Sequence, residues 1–553
     1  MRKLICILVT CLLYSQYSHA ATPDELGFQQ NEQLLREQQR ELKMLERERL
    51  LRELERSLRV IEIPQPEPRQ AITSAPEVCF IINEIVLDGA NNLLGHEKRS
   101  LTEPWLGWCM SPNDIDELRS NIDRYYINNG WIMSRTYLLP QQNIRQGKLI
   151  FKVLEGTLDE IRLNFNELEA RAAIATAFPG MLGEVIQLRD IEQGIDQINR
   201  LASSNATMTI EPVKDKPGYS RMLVSNIINN PYRMTLGFDN QGSESTGKRR
   251  GKISLDTDNL LAINDNLYLN ATDTAGSKSS DKSSSSAGLN LSIPYGYWSY
   301  GLGINRSEYV STNTGDTGSF KVSGNSNTES FNISRLVHRD QNSKTTASIV
   351  INRKDTSTFV EDVKLETGSR RLAVADVKLF YVERSAQDIR SAQIAYSRGL
   401  DAFGALLDDP LTSDDIPKAQ FEKLSWDVSY SKPFVVDNHA FNYSMTLSGQ
   451  ASRDALFGSE QIAIGDLSSV RGFRDSPASG DSGSYIKNDV SWSPFEPPAL
   501  LRGIRLTAGL DLGYVRVRNN NINTTGDSSA TLAGWALGAQ QLVSYEHDQQ
   551  LSW

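Results

Sequence analysis

The 553-residue sequence lacks any apolar run that approaches the roughly 20 residues needed by a membrane-spanning helix. Hydrophobic residues make up only 39% of the chain, and the mean hydropathy is −0.40. Helical membrane spans are therefore not expected. An excess of basic residues is also missing, because 58 Lys and Arg face 68 Asp and Glu. The resulting net charge of −10 argues against a general nucleic-acid binder.

The first 20 residues are typical of an export signal. Arg2 and Lys3 form a positive end, residues 4–13 are apolar, and residues 18–20 form a small-residue cleavage site. The alternative is a short buried helix, which the position and the flanking residues disfavour. We therefore expect residues 1–20 to be removed and the mature chain to leave the cytoplasm.

Cysteine is scarce as well, with four residues in the whole sequence. Cys6 and Cys11 lie within the signal, which leaves Cys79 and Cys109 in an oxidising compartment. We predict that these two are bridged, with two buried free thiols as the alternative. Two cysteines without nearby paired histidines cannot complete a tetrahedral zinc shell, so no metal site is predicted.

The mature chain begins with a strongly helical segment, assigned to residues 21–60. Residues 30–59 contain neither Gly nor Pro, and pairs such as Glu48 and Arg52 lie one helical turn apart. The helix is either solvated, as in a coiled coil, or a plug in a polar cavity, where about 1.5 Å per residue would give it a length of roughly 40 Å. Residues 61–78 contain four prolines and are predicted to form an extended tether.

Two small α/β modules are expected next, over residues 79–156 and 157–228. In the first, an alternating strand precedes a helix with Ser111 as its N-cap and Pro112 at its first position, and two strands follow. The second repeats this pattern, with a helix through residues 191–201. Neither module contains a plausible catalytic cluster, which favours docking domains over enzymes.

Residues 229–553 show the pattern of long strands that alternate between apolar and polar side chains. Leu424, Trp426, Val428 and Tyr430 share one face of such a strand, and the residues between them are Ser425, Asp427 and Ser429. Long two-faced strands behind an export signal predict a transmembrane β-barrel of about 16 antiparallel strands, with a wet polar lumen. A secreted β-sandwich or solenoid is the alternative.

One connection, at about residues 455–482, is too long for an ordinary hairpin turn and contains Arg471. No P-loop sequence supports a phosphate site there. In a later strand Asp511 should face the lumen between Gly509 and Gly513, which clear space for a close approach. An inward-folded loop would let Arg471 form a charge-assisted, two-bond contact with Asp511. The alternative is an exposed arginine and a hydrated aspartate.

The pair of motifs Val470-Arg471-Gly472-Phe473 and Gly509-x-Asp511-x-Gly513 resembles the signature of two-partner secretion transporters, the TpsB proteins. The resemblance extends over nearly the whole mature chain. It implies a monomeric 16-stranded barrel in the lipid of a Gram-negative outer membrane, with two POTRA modules in the periplasm. It further implies that the modules capture one large secreted partner protein, that the helix plugs the pore, and that the loop lies in the lumen.

The same resemblance implies neither a cofactor nor catalytic residues. The cysteine pair and the charged helix favour transporters of haemolysins or contact-dependent inhibition toxins, and activation of the partner is left open. An outer-membrane protein insertase of the same superfamily is the alternative function. Family members end in an aromatic-terminated strand. Here EHDQQLSW, with Trp553, alternates poorly, which leaves barrel closure an open expectation.

Overall fold

The structure is a computed structural model that describes residues 78–163, 167–275, 281–315, 318–411, 413–473, 477–494, 503–518, 521, 528–545 and 549–552. The predicted signal, the predicted plug helix and all but the last residue of the predicted tether lie outside these ranges. No helix in the described ranges combines the length and the apolar character required to cross a membrane.

The first module contains strands β1 to β5 and helices α1 and α2. Its strands are β1 (Phe80–Ile81), β2 (Glu84–Asp88), β3 (Cys109–Met110), β4 (Arg135–Leu138) and β5 (Lys148–Leu154). Helix α1 spans Gly95–Thr102 and α2 spans Pro112–Asn128. The start of α2 is as predicted, because the Ser111 hydroxyl accepts from the Asp114 N–H at 3.3 Å. Buried side chains such as Leu118, Tyr126 and Phe151 then pack α2 against the sheet β2-β5-β4.

A disulfide joins Cys79 to Cys109, with 5.2 Å between the two Cα atoms. It links the residue before β1 to the first residue of β3, so it covalently joins the two strands of the short sheet β1-β3. The predicted bridge is confirmed.

The second module is a sheet of order β6-β8-β7, covered by helices α3 and α4. Its elements are β6 (Thr157–Leu163), α3 (Glu167–Ala177), α4 (Leu188–Asn199), β7 (Ser204–Pro212) and β8 (Tyr219–Ile228). Along α4, Ile191, Ile195 and Ile198 face the core at helical spacing. The opposite face of α4 is polar yet also buried, because the barrel rim covers it.

The remaining chain forms one antiparallel sheet, whose path runs from β9 to β26 in chain order. Its first strands are β9 (Tyr232–Asp239), β10 (Arg250–Asp258), β11 (Asn266–Thr274), β12 (Lys282–Tyr295), β13 (Trp298–Gly315), β14 (Gly318–Arg339) and β15 (Ser343–Val360), with the short β16 (Val363–Lys364) beside β15. The later strands are β17 (Arg370–Arg384), β18 (Ile389–Gly399), β19 (Glu422–Val436), β20 (His439–Ser452), β23 (Ser482–Ser493), β24 (Ile504–Arg516), β25 (Ser529–Tyr545) and β26 (Gln549–Ser552).

The predicted class, a β-barrel behind two α/β modules, is confirmed. The path contains 15 strands within the described ranges, close to the 16 expected, and the two-residue β16 pairs with β15 outside that path. Its two faces differ as the alternation requires. Along β24, Leu510 and Leu512 are 69% and 51% exposed on the outside, whereas Asp511 between them is 4% exposed. The hydrogen-bonded wall is uneven in height, because β9 has 8 residues and β14 has 22.

Candidate functional site

The connection between β20 and β23 folds back into the barrel in three parts. Residues 453–461 form a root next to the extracellular ends of the strands. Strands β21 (Ile462–Ile464) and β22 (Ala478–Gly480) pair as a short antiparallel stem. Residues 465–477 form a tip, which carries Arg471 and of which 474–476 lie outside the described ranges. The tip of this connection thus lies against the inner wall, next to β24 and β25.

The tip is fastened by the Arg471 guanidinium, which donates to two carboxylates. Its Nε and Nη2 atoms each lie 2.6 Å from one oxygen of Asp511, a two-pronged contact. The backbone N–H of Arg471 donates to Asp511 as well, at 3.1 Å, and Nη1 donates to Asp489 at 2.7 Å. The structure therefore has the contact between Arg471 and Asp511, and adds Asp489 as a second acceptor.

Glycines leave the room that this contact occupies. A Cβ atom on Gly509 would lie 2.1 Å from Nη2 of Arg471, and one on Gly513 would lie 2.8 Å from the Val470 side chain. A Cβ atom on Gly534, in the neighbouring strand β25, would lie 2.0 Å from the Arg471 carbonyl oxygen. Any larger residue at these positions would push the tip away from the wall.

The residues beside Arg471 hold the tip by packing and by backbone shape. Val470 is fully buried and packs with Ile464 and Val515, and Phe473 lies partly buried against the same cluster. Gly472 has φ = +105°, a conformation that side chains other than hydrogen disfavour. All seven residues of the two motifs thus lie at one point of the inner wall.

Charge is nearly balanced where the tip meets the wall. The Asp511 side chain is fully buried, and the bonds to Asp511 raise the pKa of Arg471, although burial opposes this shift. Lys487 stands opposite Asp511 in the β23–β24 register and donates to the Leu467 carbonyl at 2.7 Å. Two cations and two carboxylates therefore meet there, so neither carboxylate is left as an isolated buried charge.

The root has its own buried ionic contact, centred on Glu460. Its carboxylate accepts from Lys354 of β15 at 2.5 Å and from Lys423 of β19 at 2.8 Å. Gln450 of β20 donates to the Glu460 carbonyl at 3.0 Å. Burial alone would raise the pKa of Glu460, but the two lysines outweigh it and lower that pKa. Glu460 thus ties the root to three strands of the wall, two through its carboxylate and one through its backbone carbonyl.

Asp481, at the end of the loop, accepts hydrogen bonds from both sides of the loop base. It binds the backbone N–H of Leu456 at 2.8 Å and that of Arg518 at 2.7 Å, and the Asn521 side chain at 2.9 Å. Apolar contacts add to this, since Leu456 packs on Val374 and Phe421. The root is therefore held by packing and by bonds to several strands, whereas the side-chain bonds between tip and wall concentrate on one guanidinium.

The second module meets the barrel rim through the polar face of α4. Arg339 of β14 donates to Glu192 at 3.1 Å and also pairs with Asp196, which binds Lys344 at 2.6 Å. Gln193 and Gln197 both donate to the carbonyl of Gly296, in the turn between β12 and β13, at 3.1 and 2.6 Å. These contacts fix the module at the periplasmic mouth of the barrel.

Sequence reasoning missed Asp489 and the residues of the root and rim. Asp489 could have been found, because it lies two residues from Lys487 on the inner face and pairs in register with Gly509. Glu460 and Arg339 carry no comparable signal, since their partners lie more than 30 residues away in sequence. No cluster of His, Cys, Asp and Glu suited to a metal ion occurs in the described part of the chain.

Comparison with known proteins shows the family and the fold to which this chain belongs. A family model described as haemolysin secretion/activation protein ShlB/FhaC/HecB matches residues 218–541, and a ShlB-type POTRA domain and a further POTRA domain match 80–156 and 157–212. The outer membrane transporter CdiB of Dickeya dadantii is 31% identical over 85% of this chain and 82% of its own length. The outer membrane transporter CdiB of Escherichia coli is 32% identical over 92% of this chain and 82% of its own length. The solved structure of CdiB from Escherichia coli superposes with a TM-score of 0.80 at 29% identity, covering 95% of this chain and 93% of its own.

Proposed function

The chain belongs to the ShlB/FhaC/HecB family of haemolysin secretion/activation proteins, and from this we propose that it secretes one large partner protein across the outer membrane. The partner would be an exoprotein of the haemolysin, adhesin or contact-dependent inhibition toxin class. The barrel lies in the outer membrane and the two POTRA modules lie in the periplasm. The protein acts as a pore and a receptor, and no catalytic step is part of the proposal.

The observation that carries the proposal is the tip of the loop, held inside a polar lumen by Arg471. A chain that passes through the lumen needs the space that the tip occupies, so the tip has to move during export. Its polar contacts concentrate on one guanidinium and two carboxylates of the hairpin β23–β24. Such a contact can break and re-form as a unit, while the separately bonded root keeps the loop attached.

The POTRA modules provide the receptor in this proposal. The sheets β2-β5-β4 and β6-β8-β7 end in edge strands, and an additional strand from an unfolded chain can pair with such an edge. The second module, residues 157–228, is anchored at the barrel mouth by Arg339 and would pass the captured chain on to the lumen. The predicted helix, residues 21–60, would close the pore when no partner is present.

Deletion of residues 157–228 tests the receptor role. The variant and the intact chain are expressed with the partner protein, and the secreted partner in the medium is measured by immunoblot. Barrel folding is checked by heat-modifiable migration in gels. We expect export to be abolished although the barrel folds and inserts. Unchanged export would refute the receptor role, and a general loss of other outer-membrane barrels on depletion of the intact chain would favour an insertase.

A further inference from the structure

A cavity of about 280 Å³ lies between the second POTRA module and the outside of the barrel. Leu158, Met181 and Ile186 line it on the module side, and Tyr295, Trp298 and Arg335 line it on the barrel side. The barrel residues come from the periplasmic ends of β12, β13 and β14. The cavity therefore lies at the level where the barrel leaves the membrane and the module begins.

The barrel wall of this cavity continues the lipid-facing surface. Trp298 shares the outward face of β13 with Tyr300, Leu302 and Ile304, which alternate along the strand and are 39–51% exposed. Arg335 pairs in register with Trp298 and so lies on the same face of the sheet. Lipid that covers this face of β13 and β14 thus reaches the mouth of the cavity directly.

Arg335 is an exposed cation that lies over an aromatic ring. Its guanidinium carbon lies 5.1 Å from the centre of the Trp298 ring, and no hydrogen bond or ion pair of this side chain occurs within the described ranges. Arg339, four residues further along the same strand, is by contrast neutralised by Glu192 and Asp196. The stacking orients the planar guanidinium and leaves its donors available for an anion.

The same cavity is also lined by a carboxylate, which can bind a cationic group of a ligand. Glu184 is exposed there, and its carboxylate has no hydrogen bond or ion pair among the residues described. Asp190, the other acid of the lining, already accepts from the Tyr297 hydroxyl at 2.6 Å. The cavity thus offers one available cation and one available carboxylate above an apolar wall.

We propose that this cavity binds a zwitterionic phospholipid of the periplasmic leaflet. Arg335 holds the phosphodiester, Glu184 holds the headgroup amine, and an acyl chain continues along Trp298 and the outer surface of β13. A free phosphate would leave the apolar wall and Glu184 unused, so the combination points to a phosphoethanolamine lipid. The site connects the membrane to the second POTRA module, and this inference does not depend on what the protein exports.

Lipid titration of the full-length detergent-solubilised protein tests this assignment. Dihexanoyl phosphatidylethanolamine is added, and the bound fraction is measured by native mass spectrometry for the intact chain, Arg335→Ala, Glu184→Gln and Arg398→Ala. Arg398 is the matched control, because it is also an exposed arginine on the outward face but lies at the extracellular end of β18. Heat-modifiable migration shows that each variant is folded.

We expect Arg335→Ala to weaken binding about tenfold, as for loss of a charge-assisted bond, and Arg398→Ala to change nothing. Glu184→Gln should weaken binding of the ethanolamine lipid but not of dihexanoyl phosphatidylglycerol, which has no amine. Inorganic phosphate should not compete at equal concentration. Equal binding by Arg335→Ala, an equal loss in the control, or full competition by inorganic phosphate would each overturn the lipid assignment.

Discussion

Arg471 and Asp511, 40 residues apart in the chain, meet through two parallel bonds of 2.6 Å each, from Nε and Nη2 to the two carboxylate oxygens. The contact joins the tip of the inward-folded loop to strand β24. Because a planar fork makes it, and because the Asp511 side chain is fully buried, a point charge or a water molecule can replace it only in part. The position of the tip in the lumen depends on this geometry.

Replacement of Arg471 should therefore impair export strongly. Arg471→Ala removes every side-chain bond of the contact, and Arg471→Lys keeps the charge but loses the second prong, worth about 1.5–3 kcal/mol. We expect export near background for alanine and partial export for lysine, measured as partner protein in the medium. Limited proteolysis of intact cells should cleave the loop faster in both variants.

Replacement of the acceptors gives the matching test. Asp511→Ala should resemble Arg471→Ala, and the double variant should be little worse than either one, because all three remove the same contact. Asp489→Ala should have a smaller effect, since it removes one bond rather than three. Additive export defects of Arg471→Ala and Asp511→Ala would mean that the two residues act separately.

The loop root should be more costly to disturb than the tip. Glu460→Gln leaves Lys354 and Lys423 buried without their carboxylate, which should destabilise the root by about 3–5 kcal/mol. We expect protease cleavage within residues 453–461 and a lower melting temperature of the detergent-solubilised barrel. Glu422→Gln serves as control, because Glu422 is half exposed and lies 3.8 Å from Arg398. A barrel equally stable in both variants would refute the anchoring role.

The rim contacts should hold the second POTRA module in a single orientation. Arg339→Gln removes the pairing with Glu192 and Asp196, so the distance distribution between spin labels on α4 and on the turn after β14 should broaden. Export should fall with it. Arg189→Gln is the control, because Arg189 binds the same Glu192 from an exposed position on α4. Equally narrow distributions in both variants would show that the module is held by other contacts.

Removal of residues 21–60 should raise the single-channel conductance in planar bilayers without preventing export. A polar helix in a wet lumen blocks ions but has to leave when the partner passes, so no large dry interface can hold it. Planar-bilayer recordings of the intact and shortened chains provide the measurement. Equal conductance would place the helix outside the lumen.

The pairing at the tip was accessible from sequence because it depends on local alternation. Asp511 faces inward because side chains along β24 alternate strictly between the two faces of the sheet. Gly509 and Gly513 mark where another backbone approaches. The same alternation of apolar and polar side chains explains why the barrel and its lipid face could be predicted. These features need only the two-residue period of a strand and no knowledge of the neighbouring strands.

The root and the rim could not be predicted because they depend on which strands are neighbours and by how much they are staggered. Glu460 meets Lys354 across 106 positions, and Arg339 meets Glu192 across 147. Each is an ordinary charged residue in an ordinary alternating or helical pattern. Only the order and stagger of the strands and the docking of α4 bring such residues together, and no local sequence motif specifies either one.

The uneven strand lengths also set the height of the wall around the lumen. At about 3.4 Å per residue and a tilt of about 40°, the 22 residues of β14 rise roughly 55 Å along the membrane normal, and the 8 residues of β9 rise roughly 20 Å. The outer rim is therefore higher on one side, where β13, β14 and β15 form the wall. A polypeptide that leaves the lumen therefore meets a higher wall at β13 to β15 than at β9 to β11.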